Sequence, residues 1–283
     1  MTNIIFQPKT LDWTLIKDIC NSNNHNDDMP SEEYRKLIEL TYKDNWVKYF
    51  PDPIGTLIHE FSHQDCEKLM EARQVSVMTQ RRSNLHKEDL IEIENKLPEL
   101  KDKYFIRFSE CSPKDGKFGC GPLKSKTEII DSIITSQRIH KLLRRAIENK
   151  EILKLYIAPW NYVWNRDLEF RVFNYEGNIT CISQYSWHVD IGLTRDKMKI
   201  ITKNILKFFG EHKNNILQVA NSCILDVIAL ETKDDYKIEF IEMNSFGKEL
   251  ASGSALFHWI DDFDLIYNKD SGVYVRYVCD DEI

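Results

Sequence analysis

Residues 223–246 read CILDVIALETKDDYKIEFIEMNSF. Two apolar runs flank the polar stretch TKDDYK (232–237), a pattern that predicts two antiparallel strands joined by a hairpin turn. Each run carries polar groups where apolar ones would be expected. Glu242 and Asn244 stand two apart and share a strand face, and the neighbouring antiparallel strand can bring Asp226 beside them. Two carboxylates and an amide oxygen are hard donors, suited to a Mg²⁺ that also keeps waters and nucleotide phosphate oxygens. The plainer reading is three ordinary polar residues at strand ends. Against it, such groups on one face of apolar strands are costly unless paired or metal-bound.

Working outward, the same texture extends upstream. KYFIRFS (103–109) alternates as a strand, and SPKDGKFGCGP follows as a Gly/Pro-rich loop. TEIIDSIITSQRIHKLLRRAIEN (127–149) has the periodicity of one long helix. ILKLYIAPW and DLEFRVFNYEGNITCISQY read as strands, the latter folded at Glu176-Gly177-Asn178, and a helix is predicted over 197–212. The first hundred residues are more polar, with a loop at 21–34 ending in a helix start at Ser31. Helices are also predicted over 54–75 and 88–101. The order predicts an α+β protein.

The 283 residues suffice for one large domain or two smaller ones. A net charge of −7 offers no electrostatic footprint for nucleic acid or an anionic membrane. Seven cysteines without a C-x-x-C pair fit reduced thiols better than a disulfide framework. The start of the chain lacks the pattern of a signal peptide, and no apolar run reaches the roughly 20 residues of a membrane span. A cytoplasmic monomer is expected.

One motif competes with the strands. LIHEFSHQDCE (57–67) contains His59-Glu60-x-x-His63, the signature of a zinc peptidase helix in which Glu60 would polarise a bound water. On a helix, His59 and His63 would share a face, opposite the stripe of Leu57, Ile58 and Phe61. No third ligand follows at the expected spacing, so the favoured reading is a solvated polar helix face.

Arg107 in FIRFS, Lys114 in the Gly-bearing loop, and Lys124 and Lys126 in GPLKSKT offer cations for phosphate. Glu169 and Arg171 share a strand face, where they could orient a ribose and a phosphate, or simply form a cross-strand ion pair. Taken in order, FIRFSECSPKDG, GPLKSKT, APW, LEFRVF, ISQ, ILDVIAL, IEFIEMNSFG and SALFHW resemble the motifs of the cell division cycle protein 123 family over residues 104–259. That resemblance implies an ATP-grasp fold, in which two α+β subdomains clasp ATP·Mg. By position it implies that 1–100 and 101–155 form the first lobe and 156–283 the second. Arg107 would take the place of a nucleotide-contacting lysine, with Arg107 and Arg171 as the catalytic cations. Ser112, Lys114 and Gly116 would lie near phosphate; Tyr156, Ile157 and Trp160 would border adenine. Glu169 and Arg171 would line the nucleotide, and Asp226, Glu242 and Asn244 would hold Mg²⁺.

The chain departs from the family pattern at Arg107 for lysine, Ser109-Glu110 for Asn-Trp and Ala158 for arginine. It departs again at Tyr185-Ser186 for Arg-Asp, Glu242 for aspartate and Ser245 for proline. The resemblance implies an ATP-dependent assembly factor that binds the gamma subunit of translation initiation factor 2. Two other readings stand beside it: an ATP-dependent carboxylate–amine ligase, and the zinc peptidase at His59, Glu60 and His63.

Overall fold

The structure is a computed structural model describing residues 3–21, 31–233, 235–249 and 253–279. Most of the loop expected at 21–34 lies outside these. The strands are β1 (Ile4–Lys9), β2 (Leu57–Phe61), β3 (Tyr104–Phe108), β4 (Leu153–Pro159), β5 (Glu169–Tyr175), β6 (Asn178–Gln184), β7 (Cys223–Glu231), β8 (Tyr236–Ser245) and β9 (Val273–Val278). The helices are α1 (Trp13–Asn21), α2 (Glu32–Leu40), α3 (Lys43–Trp46), α4 (His63–Thr79), α5 (Lys87–Lys96), α6 (Lys126–Thr135), α7 (His140–Asn149), α8 (Arg195–Val219) and α9 (Phe263–Ile266).

The chain divides into two compact units, one of residues 1–50 and 162–283, the other of 51–161. The lobes expected from sequence divide the chain differently, placing 1–100 together. The physical reason is β1, which pairs in parallel with β9 from Ile4 opposite Val273 to Lys9 opposite Val278 and so ties the start of the chain to its end. Neither strand was expected. Both are short, and their pairing is a contact between residues some 270 apart, which local patterning does not report.

In the larger unit six strands form a mixed sheet in the order β1-β9-β6-β5-β7-β8. The hairpin read from 223–246 is β7–β8, closed where the Thr232 amide donates to the Asp235 carbonyl at 2.9 Å. One face of the sheet packs Phe170, Val172, Ile182, Leu225, Val227 and Val275 under α8. That helix starts at Thr194, whose hydroxyl caps the Lys197 amide, and buries Met198, Ile201, Ile205, Phe209, Ile216 and Val219 along one stripe. On the opposite face Phe173, Cys181 and Ile224 pack beneath Phe246, Phe257, Trp259 and Ile266.

The smaller unit is a three-stranded antiparallel sheet, β2-β4-β3, whose Ile106, Phe108, Leu155, Ile157 and Phe61 share a core with helical residues such as Leu69, Leu90, Ile130 and Leu143. The helix expected over 127–149 is two helices. Asp115, on the loop after β3, accepts hydrogen bonds from the amides of Gln137 and Arg138 at 2.8 and 3.2 Å and from the Ser136 hydroxyl. Those amides would otherwise continue the ladder, so the chain turns between α6 and α7.

The helix expected over 54–75 is also corrected. Leu57–Phe61 form β2, paired with Leu153–Ile157, and the helix begins only at His63. A capping box sets that boundary: Ser62 Oγ accepts from the Asp65 amide, and the Asp65 carboxylate accepts from the Ser62 amide at 3.0 Å. His59 and Glu60 therefore project to opposite faces of a strand, while His63 lies in the first turn of α4. The shared helical face that a zinc peptidase requires does not exist, and the zinc reading is overturned. His59 lies on the core side, its ring 4.6 Å from that of Phe61, and its Nε2 is buried without a hydrogen-bond partner. Burial lowers its pKa, with Lys96 acting in the same direction and Asp65 against it.

This orphaned nitrogen yields a test. His59→Leu should leave stability at neutral pH unchanged to within about 1 kcal/mol or raise it, since an unsatisfied buried group is removed. A histidine with a depressed folded pKa contributes stability above its unfolded value near 6.5 and loses it as pH falls. The variant should therefore be less acid-sensitive than the parent between about pH 6.5 and 5 in urea titrations. Stoichiometric zinc in the parent, lost in the variant, would contradict this reading.

Candidate functional site

The strand registers of the larger sheet align one row of polar side chains across all six strands. Gln7 of β1 pairs with Arg276 of β9, Arg276 with Ser183 of β6, and Ser183 with Arg171 of β5; Arg171 pairs with Asp226 of β7, and Asp226 with Glu242 of β8. Directly opposed residues share a face, here the face away from α8 and bordering the Phe173–Trp259 cluster. A bulge beyond Asp226 and Glu242 shifts the register so that Val227 faces Phe240. Asn244, two residues past Glu242, then reaches back to the row.

At the centre Arg171 grips Asp226 with a two-pronged fork, Nε to Oδ1 at 2.8 Å and Nη2 to Oδ2 at 2.7 Å. Arg171 is 5% exposed and Asp226 is fully buried. Burial opposes the guanidinium charge, but the Asp226 carboxylate outweighs it and holds the Arg171 pKa above its usual value. Asn244 Nδ2 donates to Asp226 Oδ2 at 2.9 Å and lies 3.5 Å from Glu242 Oε1. Glu169, at the start of β5, is also buried. Burial, then the charges of Asp226 and Glu242, push its pKa up to about 8. Asp226 thus contacts Arg171 directly, Glu242 acts on it through charge, and Glu169 feels both Arg166 and Arg171.

The sequence prediction that Asp226, Glu242 and Asn244 share a face matches this geometry, and Glu169 and Arg171 join them. Of the two readings for Arg171, the cross-strand ion pair is the one formed, with Asp226 as its partner. Among the described residues, no three His, Cys, Asp or Glu side chains converge to form a metal site by themselves. A cation here would rest on Asp226 and Glu242, and on the Asn244 amide oxygen once that amide, whose nitrogen now faces both carboxylates, turned over. That oxygen-only set, beside carboxylates in excess of cationic charge, fits Mg²⁺.

Sequence reasoning missed Tyr185. Its ring lies against Arg171, 4.8 Å from the guanidinium carbon, a cation–π contact made by the residue that replaces the family arginine. It also missed the segment after β8. Gly253 accepts through its carbonyl from Arg171 Nη1, Leu256 donates its amide to Ser183 Oγ at 3.0 Å, and the Leu256 carbonyl accepts from Arg276 Nη1 at 3.1 Å. Asp262 takes the Arg276 fork at 2.5 and 2.7 Å. The motif SALFHW is thus strapped along the polar row. The signal for it is alternation in VYVRYV (273–278), whose arginine stands between apolar neighbours.

In the smaller unit Arg107 pairs with Tyr156 on the sheet face opposite the helical core, and both are buried. Ile157 points into that core and offers a nucleotide only its backbone. Trp160 is half-buried and donates its amide to the Lys103 carbonyl at 2.8 Å. Ser112 and Lys114 are half-buried on the loop after β3. Gly116 has a packing reason of its own, because a Cβ there would meet the Ser132 carbonyl at 2.5 Å. Lys126 forms an ion pair with Glu99, and the Lys124 side chain is exposed.

A small antiparallel α+β unit and a second unit whose mixed sheet bears this charged row define an α+β protein of two compact units. The chain belongs to the D123 family, whose profile matches residues 59–282. A CDC123-like protein of Acanthamoeba polyphaga mimivirus is 28% identical over 221 residues, covering 75% of this chain and 64% of its own length. The chain therefore spans somewhat under two thirds of that relative. Among solved structures, Cdc123 from Schizosaccharomyces pombe matches with a TM-score of 0.60 at 13% identity, over 87% of this chain and 98% of its own. A C-terminally truncated form of the same protein gives 0.61 over the same shares. These likenesses show the fold. Among the described residues, no helix is long and apolar enough to cross a membrane.

Glu169 makes stability depend on pH in a calculable sense. A carboxyl whose folded pKa of about 8 lies above its unfolded value near 4.5 keeps its proton in the folded state. Its contribution is fully present below about pH 4.5 and is lost as pH rises through 8. Between these limits the loss is of the order of 1.4 kcal/mol per pH unit. Glu169→Gln should flatten the stability profile between pH 6 and 8.5 in denaturant titrations without added divalent cations. An unchanged slope would show that Glu169 ionises normally.

Proposed function

We propose that this protein binds ATP with Mg²⁺ on the acidic end of the polar row and acts as an assembly factor of the Cdc123 type. The observation that carries the reading is the cluster of acids there: Asp226 and Glu242 face one another beside Arg171, and Glu169, within reach of Arg166 and Arg171, joins them. With Glu169 holding its proton, Asp226 and Glu242 leave one negative charge in excess of Arg171, and a bound divalent cation would favour release of the Glu169 proton. Asp226, Glu242 and Asn244 are the ligands in this reading. Bound there, Mg²⁺ would neutralise phosphate charge.

The chain's own residues supply the rest. Arg171 keeps Asp226 ionised and oriented, and Tyr185 holds the plane of the guanidinium. Glu169 lines the same face. In the smaller unit Lys114 is the cation we assign to phosphate; its side chain makes no ion pair or hydrogen bond among the described residues. Arg107 and the Ser112–Gly116 loop are assigned to phosphate as well, and Tyr156, Trp160 and the Ile157 backbone to the base. Family membership supports the partner assignment, the gamma subunit of translation initiation factor 2, with assembly of its alpha subunit as the outcome.

ATP with Mg²⁺ should raise thermal stability, by about 2.7 kcal/mol at a hundredfold excess over Kd, and ATP with EDTA should give much less. Glu242→Gln suits the test because Glu242 is half-exposed and outside the buried fork. It should fold normally and lose most of the Mg²⁺-dependent gain. Absence of any shift at millimolar nucleotide would sink the ATP reading. A pull-down with the gamma subunit tests the partner, and steady ADP release requiring an added carboxylate and amine would assign ligase chemistry instead.

A further inference from the structure

Arg171 holds two things at once. Its Nε and Nη2 take both oxygens of Asp226, and its Nη1 donates to the carbonyl of Gly253. A carboxylate offers about four lone-pair positions. On Asp226 the fork takes two, and Asn244 Nδ2 takes a third. Asp226 is fully buried, so solvent supplies no slack. A divalent cation placed on Asp226 would also stand within a few ångströms of the guanidinium, where like charges repel strongly in a poorly solvated site. Cation and fork therefore compete for the same carboxylate.

The Gly253–Leu256 segment is positioned to respond. Besides Arg171, its seating depends on Ser183 Oγ accepting from the Leu256 amide and on Arg276 donating to the Leu256 carbonyl. Between these bonds lies Ser254, 1% exposed, whose hydroxyl is buried without a hydrogen-bond partner. An unsatisfied buried hydroxyl costs about 1–3 kcal/mol, so this seating is not one that satisfies every group of the segment. A rearrangement that gives Ser254 a partner would offset part of the loss of the Arg171 bond.

We propose that Arg171 is a relay: when Asp226 takes a divalent cation, Arg171 loosens its fork, releases the Gly253 carbonyl and unseats the Gly253–Leu256 segment from the polar row. The proposal rests on the assignment of Asp226 as a cation ligand. It makes the segment a readout of whether the acidic site is filled, since Asp226 and the Gly253 carbonyl take different nitrogens of Arg171. Tyr185 serves as the platform on which the guanidinium can slide, since a ring face holds the cation without fixing its hydrogen bonds.

The test uses the full chain with ATP and Mn²⁺, and the same sample with EDTA in place of the metal. Electron paramagnetic resonance counts bound Mn²⁺, and hydrogen exchange follows the amides of Leu256 and Phe257, which are bonded to Ser183 Oγ and the Ser254 carbonyl. Binding of Mn²⁺ should speed exchange at these two amides at least tenfold, with little change in β9. Arg171→Lys keeps the charge but cannot span both Asp226 and Gly253. Its affinity for Mn²⁺ should fall, so metal is raised until electron paramagnetic resonance shows the site filled, and at that occupancy the two amides should exchange at the same rate as without metal.

Bound Mn²⁺ with unchanged exchange in the parent would overturn the relay and leave the cation site standing. An equal response in Arg171→Lys would overturn it too, because the signal would then bypass Arg171. Should Arg171→Lys fail to fold, Tyr185→Leu takes its place and should reduce the metal-dependent change. If no Mn²⁺ binds to the parent, the cation assignment fails and the relay falls with it.

Discussion

The fork between Arg171 and Asp226 is the constraint around which the larger unit is arranged. Two charges buried this deeply are tolerable only when each satisfies the other, and removal of either partner typically costs 3–5 kcal/mol. The pair locks the register of β5 against β7, because a slip of one residue would turn one of the two charges into the apolar face under α8 and leave the other unpaired. The pairings of β5 with β6, β6 with β9 and β7 with β8 then bring Ser183, Arg276 and Glu242 onto the same row. The polar row is built from successive registers that agree across the sheet.

Charge balance on that row joins fold to function. Arg276 is held by Asp262 and by the Gln7 side chain, with Lys9 near both Arg276 and Asp262, and the β1–β9 end acts as a clamp on the segment after β8. Toward β7 and β8 the acids gather, and burial together with the charges of Asp226 and Glu242 keeps a proton on Glu169. One end is a completed structural device, and the other is electrostatically unfinished. That contrast is the ground for proposing a ligand at the acidic end, whereas His59-Glu60-x-x-His63 breaks across a strand and a helix start.

Much of this was legible along the chain. The β7–β8 hairpin, the β5–β6 hairpin and α8 follow from local periodicity and turn residues, and the shared face of Glu242 and Asn244 follows from a spacing of two. The errors have local causes as well. Over 54–75, the charged helix α4 masked a five-residue strand, although Ser62 and Asp65 already mark a capping box at the true boundary. Over 127–149, helical periodicity continues through a break that Asp115 imposes from another part of the chain.

The sequence by itself determined the α+β class, the acidic strands and the family to which their order belongs, because these rest on residues close together or on the order of short motifs. Only the tertiary structure decided that Arg171 is spent on Asp226, that Tyr185 stacks upon it, and that β1 joins β9. Each of these is a contact between distant positions whose register no local pattern encodes. Buried charge forces such contacts to form somewhere, but which partner is chosen depends on the order in which the strands lie side by side.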